Sequence, residues 1–219
     1  MRRATRFGRP TRPGRVLRSN RAPAARHGAR FGSALAVACL TCALLLGSVS
    51  RGGAERERPP PAHTGGFSEP LCTECHLSAG VNEGDGTLTV EGLPARYEPG
   101  ATYVLTITLA QEYLSAAGFQ MAARFETGTH AGRQAGSLAA APADTARVDV
   151  TTSGGVQYTH HVYAGTDPSA PHTARWQVVW TAPDSGAVVF HLTGNAADDD
   201  DSPMGDMIYA TSLHTTAAR

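Results

Sequence analysis

Two cysteines and a histidine lie together in the run Cys72, Thr73, Glu74, Cys75 and His76. This run is the strongest candidate in the chain for binding a cofactor or a metal. The spacing Cys-x-x-Cys-His is the attachment signature of c-type haem. Each thiol can form a thioether with one porphyrin vinyl group, and the adjacent imidazole can then coordinate the iron. The motif predicts one covalent haem c on Cys72 and Cys75, with His76 as the proximal iron ligand.

The cysteine count leaves one main alternative to haem. Cys39 and Cys42 lie in an apolar segment that precedes the exported part, so that part keeps only Cys72 and Cys75. A structural zinc site needs four ligands, commonly two such pairs or one pair with spaced histidines. A thioredoxin-type redox pair needs a βαβ context, which the chain lacks. A disulfide between Cys72 and Cys75 therefore stays open beside the haem interpretation.

Residues 1–50 are predicted to be a signal peptide or an amino-terminal membrane anchor. Ten of the 19 basic residues, all of them arginine, fall before residue 31, and an uncharged, largely apolar run follows over residues 31–50. This order is typical of a secretory signal. The run of about 20 residues also meets the length of a membrane span. Both interpretations predict export, to the periplasm, cell envelope or extracellular space, because the positive flank stays inside.

The rest of the chain is predicted to consist of a linker, one domain and a short tail. Residues 51–66 are rich in proline, glycine and charge, which is typical of a solvated linker. Residues 67–214 hold the Cys-x-x-Cys-His loop and the folded domain, and residues 215–219 are a tail. From residue 51 onward nine arginines stand against 19 acidic residues. This negative balance argues against nucleic acid and anionic lipid as partners, so we expect membrane contact only through an amino-terminal anchor.

Short runs of alternating apolar and polar residues predict an all-β, antiparallel, immunoglobulin-like sandwich behind the Cys-x-x-Cys-His loop. Tyr103, Leu105, Ile107 and Leu109 alternate with smaller or polar residues, as a half-buried strand requires. Turn-forming sequences such as Glu98-Pro99-Gly100 separate the runs. Two packed antiparallel sheets would close such a chain, and aromatic residues such as Phe119, Trp176, Trp180 and Phe190 are predicted to fill the core. The eight predicted strands span residues 87–91, 103–109, 118–125, 147–151, 156–163, 176–180, 188–192 and 207–213.

Several stretches together resemble the choice-of-anchor V domain, a bacterial exported family that is itself similar to the Reeler sandwich. The resemblance covers about residues 65–214 and implies a Reeler-like β-sandwich with one Cys-x-x-Cys-His motif, but no established activity. The matching pieces are Gly66-Phe67, the cysteine motif at residues 72–76, Leu88-Thr89-Val90-Glu91-Gly92-Leu93-Pro94, Tyr97-Glu98-Pro99-Gly100, Gly118-Phe119-Gln120, Trp180-Thr181-Ala182-Pro183, Gly194-Asn195-Ala196-Ala197 and Gly205-Asp206-Met207-Ile208-Tyr209.

A haem held by His76 needs a second iron ligand or an open face. The resemblance implies a histidine at His161. Strand parity places His161 with Gln157 and Thr159 on one face and His160 on the other. A haem on a loop before the first strand is expected to cover an outer face, which favours His161 as the distal ligand, whereas a haem between the sheets would favour His160. The further candidates are Met121, Met204, Met207, His130, His172 and His191, and an iron without a second protein ligand is also open.

These observations predict an exported monohaem c-type protein that passes single electrons to a redox partner protein not identified by the sequence. The alternative is a non-enzymatic Reeler-like structural or adhesion module with a disulfide between Cys72 and Cys75. A ligand sensor or peroxidase with an open iron site is a third interpretation. The run of aspartates at residues 198–201 is predicted to be a solvated turn, with calcium binding left open. No catalytic motif stands out, so an enzyme is the less favoured class.

Overall fold

The computed structural model describes residues 56–77 and 79–219. The predicted signal or anchor over residues 1–50 lies outside the described residues, as does the start of the predicted linker. Within the described part, no helix is long and apolar enough to cross a membrane.

Ten strands form two sheets that pack face to face. The four-stranded sheet has the order β1-β3-β8-β5, and the six-stranded sheet has the order β2-β10-β9-β4-β7-β6. All neighbouring strands are antiparallel except β2 and β10, which pair in parallel through residues 96–97 and 216–217. The strands are β1 Thr87–Glu91, β2 Arg96–Tyr97, β3 Thr102–Ala110, β4 Ala116–Phe125, β5 Ser137–Ala140, β6 Val148–Ser153, β7 Val156–His161, β8 Thr173–Thr181, β9 Ala187–Ala197 and β10 Met207–Ala217, and short 3-10 turns lie at Gly66–Ser68, Cys72–Glu74, Gly128–His130 and Tyr163–Gly165.

The predicted β-sandwich is confirmed, with two strands added and some boundaries moved. Strands β2 and β5 have two and four residues, too few for an alternating pattern to be visible in the sequence. Strand β7 ends at His161, two residues before its predicted end, because a 3-10 turn begins at Tyr163. Strand β10 continues to Ala217 and so includes most of the predicted tail, since its last residues pair with β2 and β9.

Large apolar side chains from both sheets fill the space between them. Trp176 and Trp180 of β8 are fully buried, as are Phe119 of β4 and Phe190 of β9. The Trp180 and Phe190 rings meet edge to face at 5.0 Å, which is a favourable aromatic geometry. Each indole N–H also donates to a backbone carbonyl, from Trp176 at 2.7 Å and from Trp180 at 3.0 Å. The sequence predicted these aromatic residues as core, and the structure shows them there.

Residues 56–77, which we call the strap, cover the outer face of the six-stranded sheet. The side chain of Gln120 on β4 accepts from the backbone N–H of His63 at 2.7 Å and donates to the carbonyl of Pro60 at 2.9 Å. Ala62 packs on the small outer cluster that includes Tyr158. The part of the predicted solvated linker from Arg56 onward therefore lies against the sheet, because the outer face of β4 presents a polar side chain that bonds the strap backbone.

A charged cluster fastens the middle of the strap to the same face. The Glu69 carboxylate forms an ion pair with Arg124 of β4, and the Tyr158 hydroxyl donates to the same carboxylate. Arg124 also donates to the Tyr158 hydroxyl at 2.7 Å and lies 5.3 Å from the centre of the Phe67 ring. Burial lowers the pKa of Arg124 from its ordinary value. The buried guanidinium of Arg124 is therefore held by Glu69 and Phe67 of the strap and by Tyr158 of β7.

Candidate functional site

A cavity of about 350 Å³ lies between the strap and one end of the six-stranded sheet, and we call it the strap cavity. The strap lines one side of it, and the opposite side consists of the first residues of β4, the last residues of β9 and the turn that follows β9. Its lining is mostly apolar, with a few polar side chains. The lining residues are Arg56, Pro59, Pro60, His63, Cys72, Cys75, His76, Ala116, Ala117, Gly118, Phe119, His161, Thr166, Asn195, Ala197, Asp199, Asp200, Asp201, Ser202 and Asp206.

The cavity brings together the four side chains predicted to hold a haem. Cys72, Cys75 and His76 line it from the strap, and His161 lines it from the end of β7. The residues present therefore supply two thiols and two imidazoles to one mostly apolar space, which is the donor set that a covalent haem requires. This arrangement does not test whether a haem is attached, and the cofactor and its four residues stay a prediction.

A tight turn holds the two cysteines close to each other. The backbone N–H groups of Cys75 and His76 both donate to the Cys72 carbonyl, at 3.2 and 3.0 Å. Both cysteines are free thiols in the structure, with Cys72 partly buried and Cys75 exposed. Burial raises the pKa of Cys72 to about 11, and a hydrogen bond from Thr193 only partly offsets this. Cys72 is therefore an unreactive thiol at neutral pH.

His76 is oriented by a buried carboxylate. Its Nδ1 bonds to Asp206, and because a carboxylate only accepts, this nitrogen carries the ring proton. The side-chain nitrogen of Asn195 donates to the same carboxylate, at 3.1 Å from Asp206 Oδ2. It also lies 3.4 Å from His76 Nε2. Asp206 is almost fully buried, with 2% of its surface exposed. His76 is therefore fixed in one tautomer by two neighbouring side chains.

His161 lines the cavity, but it does not lie on the outer face of the sheet, where strand parity had placed it. Gln157 lies on the same face of β7 as His161, and its side chain accepts a hydrogen bond from the backbone N–H of Leu138 in the opposite sheet. This face therefore points between the sheets. Tyr158 reaches Glu69 in the strap, so the face of Tyr158 and His160 is the outer one. The parity prediction is therefore reversed. His161 reaches the cavity because it is the last residue of β7, where the ring lies against Gly118.

The contacts of His161 fix its proton as well. The backbone N–H of Phe119 donates to His161 Nδ1 at 3.0 Å, so the ring proton sits on Nε2 in this arrangement. Coordination of iron through Nε2 would require the proton to move to Nδ1 and to be donated to the Phe119 carbonyl, 3.3 Å away. The predicted role of His161 as a distal ligand thus depends on a change of tautomer.

The other candidate ligands lie elsewhere. Met121 is fully buried between the sheets, and His160 bonds to Thr151 at 2.9 Å. His191 packs against Phe67 at the middle of the strap. These side chains are absent from the cavity lining, as are the remaining candidates, Met204, Met207, His130 and His172.

The sequence did not indicate three polar residues of the cavity. His63 lies in the predicted linker, whose composition gave no sign of a site, and it bonds to Glu74 at 2.8 Å. Asn195 and Asp206 lie in stretches that carry the family resemblance, Gly194-Asn195-Ala196-Ala197 and Gly205-Asp206-Met207-Ile208-Tyr209. Their position in those stretches was the available signal, but nothing in the sequence placed them beside His76.

The acidic turn at residues 198–201 lies at the mouth of the cavity and is exposed. Arg56 of the strap forms an ion pair with Asp199 and lies 3.8 Å from Asp201. Across residues 56–77 and 79–219, no group of three or more histidine, cysteine, aspartate or glutamate side chains is placed to hold a metal ion.

Comparison with known proteins identifies structural neighbours only. No family model matches the chain, and no curated protein matches its sequence. The human F-spondin Reeler domain is 23% identical with a TM-score of 0.42, covering 65% of this chain and 96% of its own. The Reelin-N domain of F-spondin is 23% identical with a TM-score of 0.41, covering 67% and 97%. BslA, described as a bacterial hydrophobin, is 11% identical with a TM-score of 0.33, covering 62% and 97%.

These findings correct the predicted function. The structural neighbours named above include Reeler domains and do not include a cytochrome. The prediction of a c-type cytochrome that transfers electrons is therefore wrong, and the findings favour the alternative of a non-enzymatic module. The physical reason for the error is that a five-residue motif specifies a local chemistry and leaves the role of the surrounding domain undetermined. The chain folds as a β-sandwich of two packed sheets.

Proposed function

We propose that this chain is a non-enzymatic Reeler-like module of an exported protein, and that it holds a ligand in the strap cavity. The strap cavity carries this proposal. Its volume of about 350 Å³ falls within the range of small-molecule sites, and its mostly apolar lining with a few polar groups is typical of them.

The walls of the cavity are held in place before any ligand arrives. Gln120 bonds the strap backbone at two points, and the buried pair of Glu69 and Arg124 fastens the strap between His63 and the cysteines. His76 is held by Asp206. A site built from fixed groups loses little conformational entropy on binding. This rigidity supports a binding role for the cavity.

We also propose that Cys72 and Cys75 form a disulfide at the cavity wall. The turn that joins them brings their α-carbons within about 7 Å, which is the reach of a disulfide. Export would carry the pair into an oxidising compartment, where disulfides persist. The bond would close the wall of the cavity and fix the turn that carries His76.

Membership of the choice-of-anchor V family and an exported location complete the proposal. The stretches quoted above support the family, and the arginine-rich and apolar segments within residues 1–50 support export to the periplasm or cell envelope. The absence of a family-model match leaves membership resting on those stretches alone.

Binding in the cavity can be measured with N-phenyl-1-naphthylamine, a neutral apolar probe that fluoresces when it leaves water. We expect the exported protein to bind it, and the substitution Ala116→Trp to weaken binding at least tenfold by filling the cavity. Ala139→Trp, on the exposed face of β5, is the matched control and should leave binding unchanged. Equal binding by both variants, or no binding by the native protein, would overturn the proposed function.

The disulfide can be tested by mass spectrometry of protein recovered after export. We expect the peptide with Cys72 and Cys75 to be about 2 Da lighter than its reduced form, because two hydrogens are lost. Free thiols would contradict the disulfide, and so would a gain of about 600 Da, which would mean that the thiols carry a haem.

A further inference from the structure

Two oxygen atoms of the strap cavity lining are buried without a hydrogen-bond donor among the described residues. They are Oδ1 of Asp206 and Oδ1 of Asn195. The second carboxylate oxygen of Asp206 accepts from His76 and from Asn195 Nδ2, so the side chain is anchored while Oδ1 stays without a donor. A buried acceptor without a donor costs free energy, more when the group is charged. These atoms therefore indicate where a ligand donates hydrogen bonds.

The two acceptors belong to side chains that are hydrogen-bonded to each other. Asn195 Nδ2 lies 3.1 Å from Asp206 Oδ2, so the carboxamide and the carboxylate are neighbours. Each oxygen accepts a hydrogen bond, so a ligand group with several N–H donors matches them. An anion, or a group that only accepts, would meet two acceptor oxygens and be repelled.

The charge around the cavity favours a cation. Asp199, Asp200 and Asp201 lie at the mouth, and Asp206 lies inside. Arg56 is the single arginine of the lining, and it is engaged by Asp199 and Asp201. This leaves Asp200 and Asp206 facing no arginine of the lining. A field of this sign raises the local concentration of cations.

We propose that the strap cavity recognises a protonated amine with an apolar body. The ammonium group would donate to Asp206 Oδ1 and Asn195 Oδ1, and the body would lie on the apolar walls formed by Ala116, Ala117 and Phe119. This inference rests on the proposed function, because it assigns the ligand class of the same cavity. A bare metal ion is the less suitable occupant, since the described residues hold no group of three metal-ligating side chains.

The experiment is displacement of N-phenyl-1-naphthylamine by three matched compounds. 2-Phenylethylamine carries the ammonium group, 2-phenylethanol replaces it with a neutral hydroxyl, and N,N,N-trimethyl-2-phenylethylammonium keeps the charge without N–H donors. We expect the amine to displace the probe at a concentration at least tenfold below that of either other compound. Raising the ionic strength should weaken the amine and leave the alcohol unchanged.

Variants test the buried carboxylate of Asp206 and the negative charge at the mouth of the cavity. Asp206→Asn should weaken the amine at least tenfold with the alcohol unaffected, and its folding is checked by urea unfolding. Should that variant fail to fold, Asp200→Asn at the exposed mouth serves, with an expected two- to threefold loss that added salt abolishes. Asp149→Asn, on the exposed side of β6, is the matched control.

Equal displacement by all three compounds would overturn the inference while leaving the proposed function intact, because the probe would still bind. Failure of the amine to displace a bound probe would overturn it as well. Loss of probe binding by the native protein would instead count against the proposed function.

Discussion

The outer faces of the two sheets differ in what covers them. In β3 of the four-stranded sheet, buried Leu105, Ile107 and Leu109 alternate with partly exposed residues, as in a strand with one face in water. In β4 of the six-stranded sheet, nine of ten residues are buried, because the strap covers the face that points away from the core. The same fold therefore has one open face and one covered face.

The difference shows how polar residues come to be buried in a β-sandwich. Gln120, Arg124 and Tyr158 occupy positions that alternate with core residues, where a two-sheet sandwich would place them in water. The strap buries them and supplies a partner to each, so burial is tolerated. The covered face is also where the strap cavity forms. Substitutions that break a contact between the strap and the covered face should therefore lower the free energy of unfolding far more than matched substitutions on the open face.

The largest effect is expected from Glu69→Ala. This substitution leaves Arg124, with 6% of its side chain exposed, without its carboxylate. Removing one partner of a buried ion pair typically costs about 3–5 kcal/mol. The free energy of unfolding in urea measures this. Glu91→Ala, an exposed glutamate on β1 of the open sheet, is the matched control and should stay within about 0.5 kcal/mol of the native protein. Equal effects would show that the strap adds nothing to stability.

A second comparison uses glutamines on the two outer faces. Gln120→Ala leaves the His63 N–H and the Pro60 carbonyl without their partner, and should cost about 2 kcal/mol. Gln177→Ala on β8 removes one bond of 3.3 Å to Thr106 and should cost about 0.5 kcal/mol. Urea unfolding and amide hydrogen exchange of His63 measure the two losses. If Gln177→Ala costs as much as Gln120→Ala, the covered face has no special dependence on the strap.

A smaller effect is expected at Gly66, where the strap lies against the His191 ring of the sheet. A Cβ added at Gly66 would lie 2.4 Å from the His191 ring of β9, so the ring or the strap must move. Such overpacking should cost Gly66→Ala about 1–2 kcal/mol. The double variant Gly66→Ala with His191→Ala removes the obstacle and should recover part of the loss relative to His191→Ala alone, as measured by a double-mutant cycle of unfolding free energies. Strict additivity would mean that the contact is not tight.

The smallest effect is a pH dependence confined to the covered face. Burial chiefly lowers the pKa of His191, the positive charges of Arg124 and His214 lower it further, and Glu126 opposes them. The folded protein thus binds fewer protons at His191 than the unfolded chain does. Stability from this group is present above the ordinary histidine pKa of about 6.5 and is lost as the pH falls below it.

The variant His191→Gln should flatten this dependence. Urea unfolding at pH 7.5 and pH 5.5 compares the two proteins, and we expect the native protein to lose more stability than the variant. An equal loss in both would place the titrating group elsewhere.

The sequence predicted the sandwich because alternation along a strand is a local property. Eight of the ten strands carried that pattern, and the aromatic residues of β8 indicated the core. The two short strands carried too few residues to show it. The cysteine motif was singled out by residue type and spacing, and His161 by the family resemblance, and the structure places them around one cavity. The face of β7 was assigned wrongly, because the face that looks polar in the sequence is the interior one, with Gln157 bonded to the opposite sheet.

What the sequence alone determined is the set of strands, the composition of the core and the presence of two thiols beside a histidine, since each depends on neighbouring residues. Only the tertiary structure decided that residues 56–77 cover a sheet and that Asn195 and Asp206 meet His76. The contacts of His76 with Asn195 and Asp206 join residues more than a hundred positions apart in the chain. Their partners are polar groups that satisfy each other only once the strands have been brought together, and no local pattern records such a pairing.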